Sequence, residues 1–219
     1  MQLQIAPSIL AADFLNLEKD IRILDEVADI IHLDVMDGTL VPNISFGFPV
    51  IEPIAKIASK PLDAHLMIVH PEKYFERFAS CGIDMLSFHL EAARRDGTDP
   101  CELLAAIRRL GMKAGLVFNP DIPLENVYPY IGSADYLVLM SVYAGFGGQS
   151  FIEESYSRLA ALKREVSLRN PQCLLEVDGG VTPSNSARLR SLGADILVAG
   201  SSVFLSGDPR GTIAALRCD

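Results

Sequence analysis

Ala28-Asp29-Ile30, Ile83-Asp84-Met85, Ala134-Asp135-Tyr136 and Ala194-Asp195-Ile196 say the same thing four times: a small or apolar residue, an aspartate, then the start of an apolar run. Successive copies lie 51 to 60 residues apart. That interval holds two strand–helix units, and fourfold repetition of such a pair closes naturally into a (β/α)8 barrel. The other architecture open to alternating strands and helices, a doubly wound open sheet, gives no reason for the repeat.

The alternation itself is read from periodicity. Strand-like runs fall at Gln4–Ala6, Ile30–Val35, Leu62–Leu66, Met85–His89, Lys113–Phe118, Tyr136–Met140, Cys173–Val177 and Ile196–Ala199. Amphipathic stretches between them predict helices over Asn16–Ala28, Pro49–Ser59, Glu72–Ser80, Cys101–Leu110, Tyr156–Arg169, Asn185–Leu192 and Thr212–Arg217, with a weak, proline-flanked one over Pro123–Tyr130. The chain has 219 residues, 49% of them hydrophobic. That suits one α/β barrel domain over residues 1–219, which buries roughly three-quarters of its unfolded surface and needs no staple.

The 28 acidic and 19 basic residues leave a formal charge of −9, which argues against a nucleic-acid partner. An anionic substrate stays open, because backbone amides can hold a phosphate without a basic patch. The scattered Cys81, Cys101, Cys173 and Cys218 contain no CxxC pair and read as reduced thiols. Met1-Gln2-Leu3-Gln4-Ile5 lacks a basic region ahead of a long apolar stretch, so no signal peptide is expected, and no apolar run approaches the ~18 residues of a membrane span. These features predict a cytoplasmic protein with no membrane partner.

Active sites of such barrels lie at the C-terminal ends of the strands. With the period of two of a strand, His32, Asp34 and Met36 share one face, as do Asp63, His65 and Met67, and Asp178 stands at the mouth of the seventh strand. A lone histidine there is more often structural than a ligand, and an aspartate before glycine is more often a turn. Four ionisable groups converging inside an apolar barrel are costly unless a cation compensates them, so His32, Asp34, His65 and Asp178 are read as ligands of one divalent metal.

The glycines sort the same way. Gly145-Phe146-Gly147-Gly148, Gly179-Gly180 and Gly200-Ser201-Ser202 follow strands six, seven and eight without a Lys or Arg. Together they describe a phosphate site made of backbone N–H groups and a helix start. Met36, Met67 and Met140 each end a strand and serve either as core filler or as a water-excluding wall. His70 and His89 are read as structural, and Tyr143 is left without a role.

These residues carry a resemblance. Ala6-Pro7-Ser8-Ile9-Leu10-Ala11-Ala12-Asp13-Phe14, His32-Leu33-Asp34-Val35-Met36-Asp37-Gly38, Val41-Pro42-Asn43-Ile44, His65-Leu66-Met67, Gly145-Phe146-Gly147-Gly148-Gln149 and Glu176-Val177-Asp178-Gly179-Gly180-Val181 look like ribulose-phosphate 3-epimerase, from the first strand to Gly200-Ser201. The resemblance implies a TIM barrel of the ribulose-phosphate-binding type. It also implies a metal-dependent epimerase of the pentose phosphate pathway that interconverts D-ribulose 5-phosphate and D-xylulose 5-phosphate. The family's mechanism is two-base proton transfer at C3 through a metal-stabilised enediolate.

By the same resemblance, His32, Asp34, His65 and Asp178 hold one divalent ion per subunit, zinc ahead of iron, manganese or cobalt, and Asp34 and Asp178 are the acid/base pair. Ser8, His65, Gly145, Phe146, Gly147, Gly148, Asp178, Gly179, Gly180, Gly200 and Ser201 match the substrate and phosphate contacts. A homo-oligomer is implied, with a small-molecule sugar phosphate as the substrate.

One departure stands out. The family usually has an acidic or amide residue and then Pro ahead of Gly-Phe-Gly-Gly, where this chain has Tyr143-Ala144. Without the Pro, φ at residue 144 is released and the loop is expected to loosen. The departure keeps epimerisation of a related ketose phosphate, such as a hexulose 6-phosphate, as the alternative. A phosphate-binding barrel decarboxylase fits less well, because strand two has His-x-Asp and no Lys. A non-catalytic sugar-phosphate sensor would tolerate the loss of a ligand, and none is missing.

Overall fold

Eight parallel strands make one sheet in a computed structural model that describes residues 2–217, apart from the side chain of Asp96. The strands are β1 (Gln4–Pro7), β2 (Ile31–Met36), β3 (Leu62–Met67), β4 (Met85–His89), β5 (Lys113–Phe118), β6 (Tyr136–Met140), β7 (Leu174–Asp178) and β8 (Ile196–Ala199). Their order, β1-β8-β7-β6-β5-β4-β3-β2, brings its two ends together at a seam. There Ser8 and His32 form an isolated parallel bridge, and the Ile30 N–H donates to the Ile5 carbonyl at 3.4 Å. The sheet is thus a nearly closed (β/α)8 barrel, as the repeat predicts.

The helices between the strands are α1 (Leu17–Val27), α2 (Phe48–Ile57), α3 (Phe75–Ser80), α4 (Leu90–Asp96), α5 (Pro100–Arg109), α6 (Glu154–Arg169), α7 (Pro183–Ser191), α8 (Ser201–Phe204) and α9 (Pro209–Arg217). Alternation along the strands divides the apolar residues into two layers. Leu33, Val35, Leu66, Phe88, Leu116 and Leu139 pack outward against helices, while Ala6, Val117, Tyr136, Val138, Ile196 and Val198 fill the barrel interior.

The four repeated aspartates explain themselves at the barrel floor. Each sits just ahead of an even strand and accepts a hydrogen bond from the first turn of the odd strand before it. The donors are Ile5 N to Asp29 (2.8 Å), Leu62 N to Asp84 (2.8 Å), Ala114 N to Asp135 (2.8 Å) and Leu175 N to Asp195 (2.9 Å). Three carry a basic partner as well: Arg217 on Asp29, Arg108 on Asp135 and Lys163 on Asp195. The repeat is a clasp, used once per pair of strands.

Two predicted helices take a different form. The weak helix over Pro123–Tyr130 is a pair of 3-10 segments, Leu124–Asn126 and Tyr128–Ser133, because Pro123 and Pro129 bring no N–H to an α-helical ladder. Pro71–Tyr74 is likewise 3-10 and leads into α3, and α4 directly follows His89 where no helix was expected. The second and seventh strands start one residue later than predicted, at Ile31 and Leu174. Cys81, Cys101 and Cys173 are free thiols, with burial pushing Cys173 up to about 12; Cys218 lies outside the described residues.

Candidate active site

Strand alternation sends His32 and Asp34 of β2, His65 of β3 and Asp178 of β7 to one point inside the C-terminal mouth of the barrel. His32 and His65 are fully buried, and the two carboxylates are nearly so. His32 Nε2 lies 3.4 Å from Asp34 Oδ1 and 3.9 Å from Asp178 Oδ2, and His65 Nδ1 lies 3.3 Å from both of those oxygens. Both imidazole nitrogens are buried with no hydrogen-bond partner.

That pair of orphaned nitrogens is the test of whether a cation fits. Ligand atoms about 2.0–2.2 Å from a common ion stand roughly 3.3–3.5 Å apart at tetrahedral angles. Three of the four separations match that spacing, the 3.9 Å from His32 Nε2 to Asp178 Oδ2 being wider, and the donor set of two imidazoles and two carboxylates suits zinc and its divalent neighbours. The second oxygen of Asp34 accepts from Ser8 Oγ, which leaves Oδ1 turned toward the imidazoles.

Electrostatics agree with the geometry. Burial depresses the basicity of His32, but the Asp34 and Asp63 carboxylates outweigh it and hold the imidazole well above its usual range. His65 is raised against the same burial by Asp178 and Asp34, and Asp34 is driven well below the usual carboxylate range by His32 and His65 despite its own burial. A cavity of this kind demands positive charge.

Each imidazole is held from behind. His32 Nδ1 lies 2.8 Å from Asp63 Oδ2, and the other Asp63 oxygen accepts the buried Tyr136 hydroxyl at 2.8 Å. Gly115 makes room for that ring, since a Cβ there would lie 2.3 Å from Tyr136 Cζ. Glu176 Oε1 is 3.7 Å from His32 Nδ1, and burial together with the neighbouring Asp63 charge pushes the Glu176 carboxyl well above its usual range. On the other side His65 Nε2 meets His89 Nε2 at 2.9 Å, and His89 Nδ1 faces Glu91 Oε2 at 3.7 Å.

Above the ligands opens a cavity of about 740 Å³. Of the residues matched to substrate contacts, Ser8, Gly145, Phe146, Gly147, Gly148, Asp178, Gly179, Gly180, Gly200 and Ser201 line it, while His65 lies buried beneath. Met36, Met67 and Met140 form part of its wall, and no Lys or Arg lines it among the described residues. Gly180 has φ +62°, and a Cβ on it would come within 2.6 Å of the Phe151 N, so only glycine fits beside that backbone.

The loop after β6 is not loose. The Ala144 N–H donates to Asn119 Oδ1 at 3.0 Å, Asn43 Nδ2 donates to the Gly145 carbonyl at 2.7 Å, and Gln149 Nε2 donates to the carbonyls of Tyr143 and Phe146. A proline at 144 has no N–H for the first of these bonds. The expected loosening is replaced by an anchor that only a non-proline residue can make.

Sequence reading put Asp63 on the face of His65 without giving it a role, assigned none to Tyr136, Glu176, Glu91 or Asn119, and set His89 aside as structural. The inward alternation of β4, Met85-Ser87-His89, was the available signal, since it aims His89 into the same interior as His65.

Residues 4–204 match the sequence profile described as the Ribulose-phosphate 3 epimerase family. The chain is 44% identical over 214 residues to the ribulose-phosphate 3-epimerase of Synechocystis sp., covering 97% of this chain and 92% of that protein. It is 43% identical to the enzyme of the same name from Aquifex aeolicus, over 93% of this chain and 90% of the other. The solved structure of KGPDC from Streptococcus mutans superposes with a TM-score of 0.73 at 11% identity, over 99% of this chain and 96% of that one, a likeness of fold alone.

Proposed function

We infer the reaction from a single premise: this chain belongs to the ribulose-phosphate 3 epimerase family. It is an epimerase that interconverts D-ribulose 5-phosphate and D-xylulose 5-phosphate by inverting C3. Inversion requires loss of the proton next to the C2 carbonyl and return of a proton to the opposite face.

Asp34 and Asp178 are our acid/base pair. The observation that carries this assignment is their placement: β2 and β7 lie on different sides of the barrel, yet the two carboxylates meet at the same pair of imidazoles. One carboxylate takes the C3 proton, the other delivers a proton from across the substrate plane, and the roles exchange in the reverse direction. Ser8 orients Asp34 through its second oxygen. His32, Asp34, His65 and Asp178 would hold a divalent cation, which when bound supplies several kcal/mol of stabilisation for the charge that develops on the oxygen beside C3. The methionine wall keeps water from that charge.

For the phosphate we assign backbone amides near Gly148, Gly180, Gly200 and Ser201. The absence of basic side chains from the described cavity lining supports this choice, and clamping the phosphate fixes which carbon lies between the aspartates. Family membership also carries three narrower proposals: zinc as the cation, self-association into a homo-oligomer, and residence in the cytoplasm. No described helix is long and apolar enough to cross a membrane. Elemental analysis of protein purified without added metal, and sedimentation at several concentrations, check the first two.

The decisive test is on the aspartates. Asp34→Asn and Asp178→Asn should each lower kcat by at least ~10²-fold, within the ~10²–10⁴ range of one general acid or base, in protein checked for metal content. The unmodified enzyme in D₂O should place deuterium at C3 of the product in the first turnover and leave C1 untouched. A variant that keeps its metal and turns over near the original rate removes that residue from the pair.

A further inference from the structure

His65 can present a lone pair from Nδ1 toward Asp34 and Asp178 only if its proton sits on Nε2, because a neutral imidazole carries one proton on one nitrogen. Nε2 then donates across 2.9 Å to His89 Nε2, which must accept, so the His89 proton sits on Nδ1 and faces Glu91 Oε2. Glu91 Oε1 is already taken by Asn119, through both its backbone N–H (3.1 Å) and its side-chain amide (2.8 Å). Two donors on a carboxylate fix the orientation of the Asn119 amide, which leaves Oδ1 as the acceptor for the Ala144 N–H. Every donor in the series has one direction open to it, and both ends converge on Glu91.

We propose that His89, Glu91 and Asn119 are positioning residues in one string, hydrogen-bonded at every link except the 3.7 Å electrostatic contact between His89 Nδ1 and Glu91 Oε2, by which the loop carrying Ala144 fixes the tautomer and orientation of His65. The proposal rests on the reading of His65 as a metal ligand. The string spans β3, β4, the first turn of α4, the turn after β5 and the loop after β6, and it joins the cavity wall to the ligand set without touching substrate. Partners of this kind, behind a metal-bound histidine, are typically worth 10–100-fold in metal affinity. A string that ended at His89 would be ordinary support. One that continues to Ala144 makes the grip on the cation depend on how the loop is seated.

The experiment loads the enzyme with Zn²⁺ and follows release into a chromogenic chelator, with hydrogen exchange at the Ala144 amide recorded on the same samples. His89→Leu should speed release by at least ~10-fold, while His89→Gln, whose amide oxygen can still accept from His65, should stay near the original rate. Asn119→Ala, far from the cation and less disruptive to folding, should speed exchange at Ala144 and raise the release rate severalfold. Unchanged release in folded His89→Leu overturns the proposal, and so does unchanged release in Asn119→Ala. Failure of the unmodified protein to bind Zn²⁺ at all overturns instead the reading of the ligand set, so the two failures are told apart.

Discussion

The two histidines of the site are held in opposite ways. His32 leans directly on a carboxylate, Asp63, which is fully buried and locked from behind by the Tyr136 hydroxyl. His65 reaches its carboxylate only through a second imidazole, and that carboxylate is tied by Asn119 to a loop at the cavity rim. The first arm ends in the barrel interior, where close packing allows little movement. The second ends where substrate enters. One site thus combines a fixed half with a half that can register the state of its surroundings.

The largest effect should come from cutting the short arm. Asp63→Ala leaves the His32 Nδ1–H and the Tyr136 hydroxyl without their acceptor in a dry interior, so Zn²⁺ affinity should fall by at least ~10-fold, and global stability should fall with it. Competition titration and urea unfolding on the same preparation check both. If His89→Leu costs more affinity than Asp63→Ala, the ranking of the arms is reversed.

Tyr136→Phe is the next step down. It removes one buried hydroxyl and leaves a carboxylate oxygen unsatisfied, which should cost about 1–3 kcal/mol of stability with metal release little changed. A large change in release would mean that the barrel interior is less rigid than its packing implies.

On the long arm, Ala144→Pro should raise KM severalfold and quicken hydrogen exchange across residues 143–149 while kcat falls less. Combined with Asp63→Ala, its effect on Zn²⁺ affinity should add within about 0.5 kcal/mol, because Asp63 and Ala144 belong to separate sets of hydrogen bonds behind the two histidines. Strong non-additivity would merge the two arms into one network.

The smallest effect on the site belongs to the far end of the barrel. Burial works against ionisation of Asp135, but the Arg108 guanidinium and the Ala114 N–H outweigh it, and its carboxyl is held below the usual range. A depressed folded value means stabilisation that is present above the ordinary carboxylate pKa of about 3.9 and lost as pH falls through the lower folded value. Asp135→Asn should therefore flatten the acid side of the stability profile, read by denaturant midpoints, and leave metal release unchanged.

Much of this was legible in sequence, for identifiable reasons. The barrel showed through because the Asp29, Asp84, Asp135 and Asp195 clasps recur at the interval of the structural unit. The ligands showed through because alternation puts His32 with Asp34 on one face of a single strand. His89, Glu91 and Asn119 did not, because each is unremarkable in its own segment. Their bonds join residues 24, 28 and 25 positions apart that only the pairing of neighbouring strands brings together. The loop was misread for the same reason: removing a proline does release φ, but it also uncovers an N–H, and whether a partner awaits it depends on the turn one strand earlier in sequence order.

The floor clasps bear on where this chain could be cut. Every one joins an odd strand to the even strand that follows it, so at the floor each quarter of the barrel is fastened within itself. A circular permutant opened at Gly111, ahead of β5, keeps all four clasps inside unbroken lengths of chain. One opened between β5 and β6 places Asp135 and Ala114 at opposite ends of the new polypeptide and makes that fastening the last to form. The four aspartates mark out the pieces from which such a barrel can be assembled, and from which it could be rebuilt by duplication.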